Sequence, residues 1–196
     1  MRLLDTTHTA LLLTLALGAA TTARAQDQAA MGMAKGTTMV GGQAMFRTRD
    51  IVDNAVNSAD HTTLVAAVKA AGLVETLKGQ GPFTVFAPTN AAFGLLPEGT
   101  IPTLLKPENK GQLTKVLTYH VVSGRYDASA LMKAIKQGHG QATLTTVQGE
   151  PLTLSLNGDR NIVVRDAKGD VADISTYDVI QSNGVIHVVD KVLLPS

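Results

Sequence analysis

The chain has 196 residues, 44% of them hydrophobic and 17% charged, with 17 basic against 16 acidic side chains. That length suits one core, and the near balance of charge removes the long-range field on which nucleic-acid and anionic-membrane binders rely. Cysteine is absent, which excludes disulfides, a thiol nucleophile, thiolate metal sites and a bacterial lipoprotein anchor.

Arg2 precedes an apolar run from Ala10 to Ala20, and Ala23-Arg24-Ala25 puts small residues at the last and third-last positions before Gln26. The run is too short to span a bilayer as a stable helix, so residues 1–25 read as a signal peptide cleaved after Ala25. Its removal takes Arg2, Arg24 and Asp5 and leaves the two signs of charge equal. A secreted or periplasmic protein, not inserted stably in a membrane, is the expected product. Residues 26–45 carry Gly32, Gly36, Gly41 and Gly42 with Met31, Met33, Met39 and Met45 and no sustained apolar period, which reads as a flexible Gly/Met-rich arm. Thioethers suit Cu(I), but the spacing is irregular and no histidine joins them, so no cofactor or metal is assigned.

The domain is expected over residues 46–196. Between Arg47 and Asn57, the residues Ile51, Val52, Ala55 and Val56 share one helical face. A second helix starts near Ser58 or Asp60, turns Leu64, Val65, Val68 and Ala71 inward and stops at Gly72. Phe83–Ala87 reads as a strand buried on both faces, ended by Pro88, after which Thr89 or Asn90 caps a short helix through Phe93. A helix over Glu108–Leu117 runs into Thr118–Val122, and Asp127 caps another over Ala128–Ile135. Beyond Gly140 the period changes to two: Ala142–Val147, Pro151–Leu156 and Asn161–Arg165 are strands, with turns at Asn157-Gly158 and Lys168-Gly169. Ala172–Ile174 and a closing hairpin from Asp178 to Leu194 complete the sheet. Asn183-Gly184 is expected to supply the positive φ values of a type I′ turn. The sum is an α+β domain whose early strand must pair with strands distant in sequence, making it indivisible.

Three segments carry a family resemblance. Phe83-Thr84-Val85-Phe86-Ala87-Pro88-Thr89-Asn90-Ala91-Ala92-Phe93 resembles the first signature segment of the fasciclin (FAS1) family. Tyr119-His120 resembles its tyrosine-histidine motif, and Ser182-Asn183-Gly184-Val185-Ile186-His187 through Leu194 its second signature segment. The resemblance covers roughly residues 45–195 and is to the small secreted bacterial single-domain members. It implies a wedge-shaped β-sandwich with helices packed against it, and a role in cell adhesion or extracellular-matrix contact. In animal relatives an integrin-binding aspartate-isoleucine pair lies just ahead of the second signature. The matching residues here are Asp178 and Val179, preceded by Tyr177, whereas Asp173-Ile174 lies too early.

Residue by residue, the chemistry of a reaction does not assemble. His120 reads as a structural hydrogen-bonding group beside Tyr119, and His187 as an imidazole sharing a strand face with Val185 and Val189. The mature histidines show neither HxH nor HExxH spacing, no serine lies in Gly-x-Ser-x-Gly, and Gly138-His139-Gly140 lacks a phosphate-loop setting. The expected function is therefore a non-catalytic module binding an extracellular or cell-surface protein or polysaccharide, self-association remaining open, with Tyr177, Asp178 and Val179 as the candidate contact. The competing readings are a small-molecule carrier or enzyme with a pocket near His120 and His187, and a passive envelope protein. On the adhesion reading, removing the Asp178 side chain lowers binding and leaves thermal unfolding nearly unchanged, whereas removing that of His120 costs on the order of 1–3 kcal/mol of stability.

Overall fold

The structure, a computed structural model, describes residues 37–196; the expected signal peptide and the arm up to residue 36 lie outside the described residues. A hairpin comes first, β1 (Thr38–Val40) paired antiparallel with β2 (Gln43–Met45) across Gly41 and Gly42, both at positive φ. Val40 and Met45 are buried in a hydrophobic core. The expectation of a flexible arm reaching residue 45 is corrected here: strands of 3 residues each are too short to announce a period, yet they pack from Thr38 onward.

Helices follow. α1 (Ile51–Ala55) is capped by Asp50, whose carboxylate accepts from Asp53 N, and a 3₁₀ turn (Ala59–His61) leads into α2 (Thr62–Ala71), closed by Gly72 in the left-handed conformation. α1 buries Ile51, Val52 and Asn54 but leaves Val56 exposed, because the helix stops before Val56 can join the face read from the sequence. α3 (Val74–Lys78) and β3 (Phe83–Pro88) come next, then α4 (Asn90–Gly94), where Thr89 is the cap: its hydroxyl accepts from Ala92 N at 3.2 Å. α5 (Thr100–Leu104) was not legible, since Pro102 reads as a breaker. In the first turn of a helix its missing N–H goes unused, so the turn forms around it. α6 (Lys110–Tyr119), β4 (Val121–Ser123) and α7 (Ala128–Gln137) complete the middle, the last capped by Asp127 at 2.8 Å from Ala130 N.

The remaining strands are β5 (Gln141–Thr145), β6 (Pro151–Asn157), β7 (Asn161–Arg165), β8 (Val171–Gln181) and β9 (Gly184–Val189). They join β3 and β4 in one 7-stranded sheet of order β4-β3-β9-β8-β7-β6-β5. Every pairing is antiparallel except β3 with β9, which run parallel from Phe83↔Gly184 to Pro88↔Val189. β8 is longer than the two pieces expected, and its register slips at bulges between Ile174 and Thr176 and between Thr176 and Val179. Bulges bend a strand, and here they let β8 serve both halves of a strongly curved sheet. The outer strands then nearly meet: Val122 bridges Thr146, and Val147 N donates to Val121 O at 2.7 Å.

This curvature makes two cores. Inside the bend lie Phe86, Tyr119, Leu152, Leu154, Val164 and Val189, plugged by Leu131 and Ile135 of α7. On the other side of β3 and β9, Val85, Ala87, Ile186 and Val188 meet the inward faces of α1, α2, α3 and α6. The central strands are therefore covered on both faces, as the unbroken apolar run of β3 demands.

Candidate functional site

The signature residues converge on joins between elements. Asn183 sits at the β8–β9 turn with 7% exposure, and its amide donates to Leu77 O at 2.8 Å and Gly79 O at 2.9 Å while its Oδ1 accepts from Ile51 N at 3.0 Å. One side chain thus fastens α1 and the end of α3 to the sheet. Asn90 acts similarly: Oδ1 accepts from Thr63 N at 2.9 Å, supplying the cap that α2 lacks from its own chain neighbours, and Nδ2 donates to Ala59 O at 2.8 Å. Buried Thr84 donates to Gly124 O at 2.7 Å and accepts from Tyr126 N at 2.9 Å.

The turn itself corrects an expectation. Neither Asn183 nor Gly184 has positive φ, so the type I′ turn is not formed; Gln181 pairs with Gly184 across Ser182 and Asn183. Gly184 is required for another reason. A Cβ there would collide with the Phe83 carbonyl oxygen and with Cδ1 of Ile51, so glycine permits the parallel strands and α1 to approach.

Both histidines of the signature segments have their ring nitrogens occupied. His120 Nδ1–H donates to Val116 O at 2.8 Å, and Nε2 accepts from Leu193 N at 2.9 Å, which fixes the neutral tautomer. Burial lowers its pKa from 6.5 to about 4. His187 Nε2–H donates to Tyr126 O at 2.8 Å while Nδ1 faces Asp178 N at 3.4 Å; burial again lowers the pKa, and the ring stacks on Phe86 at 5.8 Å. Tyr119 donates to Pro151 O and accepts from Ala167 N, both at 2.9 Å, with burial raising its pKa to about 12. These groups tie backbone together. Among the described residues the cavity that His120 borders does not include His187, which stacks on Phe86 on the other side of the sheet, so the two are not brought together as the competing carrier or enzyme reading needs.

The candidate contact triplet is also placed differently from expectation. Tyr177 is half-buried, its hydroxyl accepting from Ile162 N at 2.8 Å and donating to Asn161 Oδ1 at 3.0 Å. Asp178 occupies the second bulge of β8 at φ 55°, and its carboxylate accepts from Ala128 N at 2.7 Å. With Asp127 it places two carboxylates at the N-terminus of α7, where the helix dipole favours negative charge. Val179 is 1% exposed and belongs to the helix-side core, so it presents nothing to a partner. The expectation that Asp178→Ala leaves unfolding nearly unchanged is therefore replaced: alanine loses the hydrogen bond and tolerates the left-handed backbone poorly, and a loss of about 1–2 kcal/mol is expected in urea denaturation. Asp178→Asn, which tolerates that backbone and keeps an acceptor, recovers most of it. Equal midpoints for Asp178→Ala and the parent would remove this structural role.

Two contributions were missed from the sequence. Asp166, 6% exposed, accepts from Lys168 N and Asp170 N with one oxygen and from Leu194 N with the other, at 2.9 to 3.0 Å. The turn at Lys168-Gly169 was legible, but its grip on the C-terminal segment was not. Ser58 and His61 likewise form a buried pair, Oγ to Nδ1 at 2.9 Å, which nothing in their spacing marks. Among the described residues no group of three His, Asp or Glu is placed to hold a metal.

A bent, nearly closed sheet with a helical layer, fastened by Asn90, Tyr119, His120 and Asn183, defines a class. The fasciclin domain matches residues 59–195, and the chain belongs to that family. It is 43% identical over 182 residues to Protein sll1483 of Synechocystis sp., covering 92% of this chain and 90% of that one. It is also 39% identical over 137 residues to the transforming growth factor-beta-induced protein ig-h3 of Sus scrofa, covering 67% of this chain but 17% of that protein. The fold matches the solved FAS1 domain pair of the insect cell adhesion molecule fasciclin I at a TM-score of 0.66 and 20% identity, across 74% of this chain and 51% of that one.

Proposed function

We propose that this chain is an exported, non-catalytic binding module that makes contact at a cell surface or in the extracellular matrix by recognising a protein or a polysaccharide. The observation that carries the reading is membership of the fasciclin family over residues 59–195, among whose members is a named cell adhesion molecule. The chemistry of the signature segments supports it. Asn90, His120, Asn183 and His187 are committed to backbone partners, so they stabilise the body and leave recognition to its outside. Near-neutral charge argues against nucleic acid as the partner. Among the described residues no helix is long and apolar enough to cross a membrane.

In this proposal half-buried Tyr177 and Asp178 shape the rim of β8, with Val179 as their anchor in the core, and contact spreads over neighbouring surface. The test is direct. Labelled mature protein at micromolar concentration is incubated with envelope fractions, whole cells and matrix material; saturable retention, displaced by unlabelled protein, is expected. Retention that rises linearly with concentration on every surface would reject the proposal. Sizing the same preparation separates binding by one copy from binding that depends on self-association.

A further inference from the structure

Between the helical layer and the sheet lies a cavity of about 80 Å³, lined almost wholly by apolar side chains. It runs from His61, at the end of the 3₁₀ turn, along the face of α2 that carries Leu64, Val65 and Val68, three, four and seven residues further on. Val85 and Ile186 form part of the opposite wall. An apolar cavity alone is a packing defect. This one is bordered by a buried polar group that is not fully bonded: His61 is 3% exposed, its Nδ1 is held by Ser58 Oγ at 2.9 Å, and its Nε2 has no hydrogen-bond partner among the described residues. The Ala87 carbonyl lies near the ring but outside hydrogen-bonding geometry.

An unpaired buried polar group is destabilising and is normally satisfied in native proteins. The apolar walls fit hydrocarbon, and the single orphan nitrogen fits one hydroxyl or carbonyl. The volume is about half of the 150 Å³ that accepts benzene in an engineered apolar cavity. It therefore suits a slender chain and is well below the size of a drug-like pocket.

We infer that this cavity is a binding site for a small, neutral, straight-chain aliphatic molecule bearing one hydroxyl or carbonyl group, which bonds His61 Nε2. A carboxylate is disfavoured, because an anion would be stripped of water in apolar surroundings. The site is independent of the adhesive surface: either can exist without the other.

The probes are 1-butanol and its near-isostere 1-chlorobutane, titrated separately into the mature protein and followed by backbone amide and histidine ring nitrogen NMR. The expected result is saturable shifts for residues of α2 and for the His61 ring, with 1-butanol binding about three- to tenfold more weakly to a His61→Leu variant than to the parent, the range one net hydrogen bond supplies, while 1-chlorobutane loses no affinity. Val68→Phe, which fills the space, should abolish the shifts while keeping a dispersed spectrum. If Val68→Phe fails to fold, the comparison of the two probes between the parent and His61→Leu still decides. An equal change in affinity for both probes on His61→Leu, shifts that do not saturate, or shifts that persist in a folded Val68→Phe protein would overturn the assignment.

Discussion

Gly184→Ala is expected to destabilise the protein by about 3 kcal/mol, at the upper end of overpacking effects, lowering the thermal midpoint by roughly 10 °C. The added methyl meets the Phe83 carbonyl oxygen and Ile51 Cδ1. Neither can retreat cheaply: Phe83 lies at the start of the parallel β3–β9 ladder, and Ile51 N is held by the Asn183 side chain in the adjoining turn. Gly111→Ala is the matching control, because Gly111 lies within α6, has open space around it and no positive φ. There alanine should raise stability by up to about 1 kcal/mol through helix propensity. Thermal unfolding followed by circular dichroism decides the matter: if both variants melt with the parent protein, close approach at Gly184 is not a determinant of this fold.

Acid should destabilise the domain in a window set by its buried imidazoles. His120 in the unfolded chain takes up a proton near its ordinary pKa of 6.5, whereas the folded protein resists until about pH 4, because burial disfavours the cation. The unfolded state therefore binds more protons between these values, and stability present above pH 6.5 is lost progressively as the pH falls through that range. The amount from His120 is on the order of 3 kcal/mol. His61 and His187, lowered chiefly by burial as well, act in the same direction. Protonating His120 would also turn the N–H of Leu193 toward a ring nitrogen that has become a donor. Glu150 belongs to a lower window. Its pKa is held at about 2, first by Ser196 N–H donating to the carboxylate, so its contribution is present above 4.5 and fades as the pH falls toward 2. Urea midpoints from pH 7 to pH 4 should fall, and His120→Gln, which has no proton to gain, should flatten the slope. A variant slope parallel to the parent's would show that His120 is not the group responsible.

Much of this fold was legible because it is local. The alternation in Pro151-Leu152-Thr153-Leu154, the apolar run Ile162-Val163-Val164, the Asp127 cap and the Gly72 stop each declare an element within a few residues, and the structure keeps them. What failed was long-range. Asn183-Gly184 resembles a turn dipeptide locally, but the Asn183 amide is recruited by Leu77, Gly79 and Ile51, far away in sequence. Asp178 looked like a surface carboxylate because no rule of spacing reveals a bulge at positive φ facing a helix N-terminus. Val179 looked like its neighbour's partner in recognition because a single shift of register decides which side chain enters the core. The Ser58–His61 pair and the cavity beside it are products of packing between α2 and the sheet, and leave no trace in composition.

The parallel pairing of β3 with β9 leaves the innermost ladder incomplete until the chain has run on from Phe83 to Gly184 and beyond. Until β9 emerges, Val85 and Phe86 have no neighbour on that side, and the apolar strand stays exposed to proteases and chaperones. A product broken off before Gly184 is accordingly not a smaller module but substrate for degradation, and only chains that extend through β9 would survive as stable material.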